Sequence, residues 1–377
     1  MAYISLLDSM TRKERSFVPF DPHSIKMYVC GPTVYDRAHL GNARSAVVFD
    51  QLFRVLEHKY GAGSVVYARN FTDVDDKIIA RSEETGEPID VITNRTIGWY
   101  HADMDALNVL RPTHEPRATD SIDDMIAVIN NLIDAGHAYE HIDHVLFDVQ
   151  SYADYGKLSG RTKLSAAVDH PELNIYKRNA GDFVLWKPSD NTQPGWPSPW
   201  GVGRPGWHIE CSAMSHKTLG HHLDIHGGGI DLKFPHHENE IAQSVCAHNS
   251  AYGSYWIHNE MVTVNGAKMS KSLGNIVLVN DLIQQYDPLA VRYLLLGTHY
   301  RKPLDFTEER LQAAQRELRK WTETVDGVLA DPEPEDFVTH LYSNINVPGS
   351  VGVMRRLFKQ KHYGALKSTM DTLGLLA

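Results

Sequence analysis

The sequence predicts an α/β fold built on a parallel sheet, and two stretches carry that reading. Met27-Tyr-Val-Cys-Gly31 has the apolar content of a short buried strand. From Ala43 to His58, Val47, Val48, Leu52, Val55 and Leu56 recur at helical spacing, and Val65-Val-Tyr-Ala-Arg69 reads as a second strand. Strand, helix, strand is the opening of a βαβ unit. The later stretch repeats the theme. Leu223-Asp-Ile-His226 reads as a strand closed by Gly227, Gly228 and Gly229, and His236 to His248 as a helix introduced by Pro235.

The remaining elements follow in order. Residues 120–136 carry an amphipathic helical pattern. Residues 187–207 hold five prolines and three tryptophans, which predicts an irregular but ordered loop, because tryptophan is usually buried. Asn265-Gly266 after Met261-Val-Thr-Val264 marks a tight turn. Two helical stretches, 307–328 and 351–375, are separated by Asp331-Pro-Glu-Pro-Glu-Asp336. No internal repeat is seen.

Composition narrows the class. With 377 residues the chain can bury a large core and form two or three structural units. No run of about 18 apolar residues suggests a membrane span. The N-terminal MAYISLLDSMTRKERSF lacks a signal peptide's apolar stretch, so a cytoplasmic location is expected. Cys30, Cys211 and Cys246 are too few for a disulfide framework, and buried, catalytic or metal-bound roles are expected instead. The net charge of −10 points away from a broadly basic nucleic-acid binder while leaving a local basic patch open. Of 21 histidines, His208, His216, His221, His222, His226, His236 and His237 crowd into one short region.

Three groups of residues bear chemistry. Glu240 follows His236 by four positions, which puts both on one helix face. With Cys30 and Cys211 they would make two thiolates, an imidazole and a carboxylate, a donor set that suits zinc. His237 is a rival ligand that spacing alone does not eliminate. His39-Leu-Gly-Asn42 stands between a strand and a helix, where a helix N-terminus accepts phosphate. Lys268-Met-Ser-Lys-Ser272 puts two lysines, Lys268 and Lys271, around a hydroxyl in a loop, which suits a polyphosphate. Gly201-Val-Gly203-Arg-Pro-Gly206 matches G-x-G-x-x-G by letter only, since Pro205 interrupts it and the sequence pattern predicts no strand before it and no helix opening from it.

An H-x-G-x element after the first strand, together with a late KMSKS, is the pattern of class I aminoacyl-tRNA synthetases. More specific runs resemble the cysteinyl-tRNA synthetase family over roughly residues 1–310: Met27–Gly31, Asn70-Phe-Thr-Asp-Val-Asp-Asp-Lys77, Asp182-Phe-Val-Leu-Trp-Lys187, Gly206-Trp-His-Ile-Glu-Cys-Ser-Ala-Met214 and Phe234-Pro-His-His-Glu-Asn-Glu240. The resemblance implies a Rossmann-like parallel-sheet catalytic core split by an insertion. Its halves would be 1–114 and 206–262, the connective insertion 115–205, a KMSKS-bearing segment 263–306, and a shortened C-terminal helical domain 307–377. It implies zinc on Cys30, Cys211, His236 and Glu240, which decides between His236 and His237. It implies a cysteine pocket of Gly31, Thr72, Trp207 and His226. Catalysis would fall to His39, Lys268 and Lys271. ATP, with Mg2+, would meet His39, Gly41, Asn42, Gly228, Gly229, Asp231, Lys268 and Lys271, with Asp231 on the ribose hydroxyls.

The implied activity is ATP-dependent formation of cysteinyl-adenylate and transfer to tRNA(Cys), a step of protein biosynthesis by a monomer. Two departures stand out. Asn42 replaces the histidine that most often ends the HIGH motif, and activity is expected to survive that change. The sequence also stops at Thr372-Leu-Gly-Leu-Leu-Ala377, where a small anticodon-binding domain would follow, so a chain lacking that domain is expected. That leaves a rival acceptor, an amino-sugar inositol, as in the tRNA-independent ligase of mycothiol synthesis. A third reading is an inactive paralogue that senses zinc or cysteine, against which the intact KMSKS argues. Arg355, Arg356, Lys359, Lys361 and Lys367 would be either a phosphate-tracking patch or a solvated helix face.

Overall fold

A computed structural model describes residues 3–161, 175–270 and 272–376. In chain order, β1 (Ser5–Asp8) and β2 (Lys13–Ser16) form an antiparallel hairpin. β3 (Ile25–Val29), α1 (Leu40–Tyr60) and β4 (Val65–Arg69) make the first βαβ unit, and α2 (Asp76–Thr85) and α3 (Ile89–Ala106) follow. The middle of the chain contributes α4 (Ile122–Asp134), β5 (Ala138–His141), β6 (His144–Phe147), β7 (Phe183–Pro188) and β8 (Gly203–Pro205). Next come α5 (Trp207–Leu219), β9 (Leu223–Gly229), α6 (His236–His248) and β10 (Gly253–Asn259). The rest is β11 (Val262–Val264), β12 (Ala267–Lys268), α7 (Val279–Ile283), α8 (Pro288–Leu296), β13 (Leu304–Phe306), α9 (Glu308–Val325), α10 (Glu335–Tyr342), α11 (Val347–Gln360) and α12 (Tyr363–Thr372).

The central sheet runs β10-β9-β3-β4, all parallel. From β3 the chain crosses to β4 on one side, and from β9 to β10 on the other. The β3/β9 boundary is therefore a topological switch point, and ligands of open α/β sheets bind at the carboxyl ends of the strands there. Cys30 and Gly31 follow β3, and Gly227–Gly229 end β9, so residues 196 or more positions apart in sequence meet at that edge.

The interrupting segment forms its own antiparallel sheet, β5-β6-β7-β8. Part of the 187–207 stretch expected to be irregular is thus strand: β8 pairs Pro205 with Trp186, and the loop before it packs Trp196 and Trp200 against the same apolar cluster. α5 lies between this sheet and the parallel one, with Ile209, Ala213 and Met214 in the apolar cluster of α4, β6 and β7, and Cys211 in the cluster of β3 and α6. Glu238 of α6 accepts the backbone N–H groups of Gly156 (2.9 Å) and Ser159 (2.7 Å), fixing the inserted segment to the helix that carries His236 and Glu240.

β11 and β12 pair through the Asn265-Gly266 turn, where both residues have positive φ (50° and 78°), the conformation that an Asn-Gly hairpin turn requires. The C-terminal reading needs correction. Residues 351–375 do not make one helix: α11 stops at Lys361, which takes a left-handed φ of 63°, and α12 starts afresh after it. The cations there are mostly engaged. Arg355 meets Glu317 at 2.7 Å, Arg356 meets Asp336 at 2.6 Å, and Lys367 donates to the carbonyl of Val328 at 2.8 Å, while Lys359 and Lys361 face solvent. Among the described residues, no helix is long and apolar enough to cross a membrane.

Candidate active site

At the switch point, Cys30, Cys211, His236 and Glu240 converge, each offering a ligand atom within 4.8 Å of the others, and all four are buried. The placement has local causes. Cys30 leaves β3 where the strand ends. Gly31 follows because a side chain there would strike the Asn70 carbonyl, which a Cβ would approach to 1.6 Å, while the Gly31 N–H donates to Asn70 Oδ1 at 2.8 Å. Cys211 sits in the second turn of α5. His236 opens α6 and Glu240 lies one turn on. Both helices bring their N-terminal ends to the cluster, where negative ligands are favoured.

Glu240 is the hub. Its Oε1 accepts from Cys30 Sγ at 3.3 Å and lies 3.1 Å from His236 Nε2, and its Oε2 accepts from Tyr252 Oη at 3.2 Å and lies 3.3 Å from His226 Nε2. Burial would raise its carboxyl, but the flanking His226 and His236 outweigh burial and hold it below the usual range. Burial pushes the Cys30 thiol up. Burial works in the same direction on Cys211, yet its hydrogen bond with Cys30 and the charge of His236 bring it down to about 6. His236 gains basicity from Glu240 and Cys211 in spite of burial. Its Nδ1 sits 3.0 Å from His208 Nδ1 and its ring stacks on Trp207 with centroids 4.4 Å apart, so the ring is oriented with Nε2 toward the cluster.

A second set, Cys30, His226, His237 and Glu240, overlaps the first. There His237 Nδ1 is tied to His258 Nε2 at 2.8 Å, and His258 Nδ1 to Ser9 Oγ at 2.8 Å, while His237 Nε2 stands 4.0 Å from Glu240. Tested against a zinc ion, the first set has the better chemistry: two soft sulfur donors, an imidazole whose far nitrogen is anchored, and a carboxylate.

In front of the cluster lies a cavity of about 440 Å³ whose walls include Cys30, Gly31, His39, Gly41, Asn42, Trp207, Gly229, Asp231 and Lys268. Cys30 therefore belongs to both cluster and cavity. His39 caps α1: its Nδ1 accepts the backbone N–H groups of Gly41 (3.1 Å) and Asn42 (3.3 Å), and Asn42 Oδ1 accepts the backbone N–H of His39 (3.1 Å). An accepting Nδ1 leaves the ring proton on Nε2, and burial lowers the His39 pKa, so the ring is a neutral donor. A side chain at Gly41 would meet the His39 ring at 2.9 Å. Asn42 is thus half of a reciprocal cap.

Other expected site residues stand behind the wall. Thr72 is buried and donates to Glu210 Oε2 at 2.7 Å. His226 is fully buried, stacked on Trp256. Gly228 faces His237, where a Cβ would come within 2.9 Å of the ring. Lys271 lies outside the described residues. His208, Tyr252 and Glu210 act as supports that no local sequence signal marks, because each acts across distant segments. Lys77, also on the cavity wall, sat unassigned inside the Asn70–Lys77 run.

The tRNA synthetases class I (C) catalytic domain matches residues 16–316. A cysteine–tRNA ligase of Ruegeria pomeroyi is 54% identical over all of this chain and 82% of its own length, and one of Paracoccus denitrificans is 53% identical over all of this chain and 84% of its own. Among solved structures, the LeuRS of Agrobacterium radiobacter K84, in a ternary complex with tRNA and LeuAMS, superposes with a TM-score of 0.68 at 12% identity, covering 96% of this chain and 84% of that one. That likeness is one of fold.

Proposed function

The chain belongs to the cysteine–tRNA ligase family of class I synthetases, and on that premise we propose that it activates L-cysteine with ATP and transfers the cysteinyl group to tRNA(Cys). The observation that carries the reading is the shared residue Cys30, which joins the buried thiol–imidazole–carboxylate cluster to the cavity lined by His39 and Lys268.

Cys30, Cys211, His236 and Glu240 would hold zinc, which supplies a centre that prefers sulfur to a hydroxyl and so separates cysteine from serine. The protein's own part is to keep that cluster dry, to hold Cys211 ionised near neutral pH, and to orient His236 through His208 and Trp207. Tyr252, donating to Glu240, leaves its other oxygen for the cluster.

In the activation step the carboxylate oxygen of cysteine attacks the α-phosphorus of ATP, taken as its Mg2+ complex. The bond to the bridging oxygen breaks and pyrophosphate leaves with its electron pair. The step needs positioning and charge neutralisation more than proton transfer. The His39 Nε2–H, the N-terminus of α1, Lys268 and Lys271 are the groups assigned to the phosphates. Asp231 is assigned to the ribose, and Gly229 to the close approach of adenine. Relatives at more than 50% identity along the entire chain favour tRNA over an amino-sugar as acceptor.

Purified protein should exchange pyrophosphate into ATP with cysteine and not with serine, and should charge a tRNA(Cys) transcript. Absence of cysteine-dependent exchange would overturn the activation reading. Exchange without charging, accompanied by acylation of an amino-sugar, would overturn the acceptor.

A further inference from the structure

We propose that His216, His221 and His248 form a second metal site, for a divalent first-row cation, at the end of α5 and α6 opposite the cysteine cluster. Each offers a ring nitrogen within 4.8 Å of the other two. The ring centroids stand 4.2 Å apart for His216–His221, 4.2 Å for His216–His248 and 5.1 Å for His221–His248. Nitrogens about 2.0 Å from a tetrahedral metal lie roughly 3.3 Å from one another, so closing the set needs at most about 1.5 Å of movement. His221 sits in an exposed loop and can supply it.

A second observation points to a ligand. His216 Nδ1 is buried and, among the described residues, has no hydrogen-bond partner. Each neutral imidazole carries one acceptor nitrogen, yet His216 Nδ1 meets no donor, and a buried orphan nitrogen calls for an explanation. Burial and the neighbouring rings lower the basicity of His248, to about 4, and burial and His221 lower that of His216, so both are neutral bases at physiological pH. Neutral imidazole is the ligand form, and an all-nitrogen set suits zinc, copper, nickel or cobalt rather than magnesium or calcium.

The surroundings favour a cation. His216 lies in the last turn of α5 and His248 is the last residue of α6, so the site collects the negative ends of two helices. Asp124 of α4 acts on His216 from nearby, although its carboxylate also meets Lys217 at 2.6 Å. His248 is two turns beyond Glu240, about 12 Å along the helix, so this site is distinct from the first cluster. A cation here would clip together the distal ends of the two helices whose opposite ends carry Cys211, His236 and Glu240.

The test is cobalt titration of chelator-stripped full-length protein, with total metal counted by mass spectrometry. Wild type should bind two equivalents, one of which gives a thiolate-to-cobalt absorption and the other none. His221→Ala and His248→Ala should each bind one equivalent, with that absorption and cysteine-dependent exchange intact. Cys211→Ser should lose the absorption and keep one equivalent, so failure of the cysteine cluster is distinguishable from failure of this site. Saturation of wild type at one equivalent overturns the proposal. So does a second equivalent that survives both histidine variants, or a Cys211→Ser protein that binds no metal.

Discussion

His208 and Asn42 show how much of this site rests on side chains one step removed from chemistry. His208 holds His236 at Nδ1, and supports of this kind typically set 10–100-fold of a site's metal affinity. His208→Ala is therefore expected to weaken zinc binding by about that factor while leaving the fold intact, as read by competition with a chromogenic chelator. Asn42 closes the cap on α1. Asn42→Ala should cost about 1 kcal/mol in chemical denaturation, a typical value for a lost capping bond, and lower kcat/KM by loosening the His39 backbone that presents the ring. Neither role was legible in the sequence. Asn42 read as a departure from a phosphate motif, and only the geometry shows its oxygen turned to the backbone of His39. His208 was one histidine in a crowded run, with nothing in its spacing to His236 to mark a contact.

At the level of the element, the first βαβ unit and the Asn265-Gly266 hairpin were readable because period and turn chemistry are local signals. α5 was not. It is buried on two sides, so its sequence mixes Ile209 and Met214 with Glu210, Ser212 and Ser215 and shows no apolar stripe. The break between α11 and α12 was equally silent, since its left-handed residue is a lysine rather than a glycine. α3 offers a pH test. Burial raises the Asp103 carboxyl to about 6 from an ordinary 3.8, only partly offset by Arg37 at 3.9 Å. Between those values the folded state binds a proton that the unfolded state lacks. Stability should thus rise as pH falls from about 6 to about 4, and the burial cost is borne in full above pH 6. Asp103→Asn is expected to stabilise the protein at pH 7.5 by about 1–3 kcal/mol and to flatten that slope, measured by urea unfolding across pH.

Across the whole molecule, Arg292 is the joint. From α8 it meets Asp50 of α1 at 2.5 Å and donates to the carbonyls of Leu107, Asn108 and Leu373, tying the first sheet unit to the last helix. Arg292→Leu leaves the buried Asp50 carboxylate with Arg54 and the backbone N–H of Leu110 as partners and strips the three carbonyls of their donor, and a loss of roughly 3–5 kcal/mol in unfolding free energy is expected. The order of strands has a further consequence, for synthesis on the ribosome. β3 gains β4 almost at once, but its other neighbour, β9, is translated some two hundred residues later. At about 5–20 residues per second that edge of β3, with Cys30 at its tip, stays open for on the order of ten to forty seconds. A nascent chain in that interval presents a bare apolar strand and an unguarded thiol, so its passage through the cell depends on whatever shields the growing polypeptide until β9 arrives.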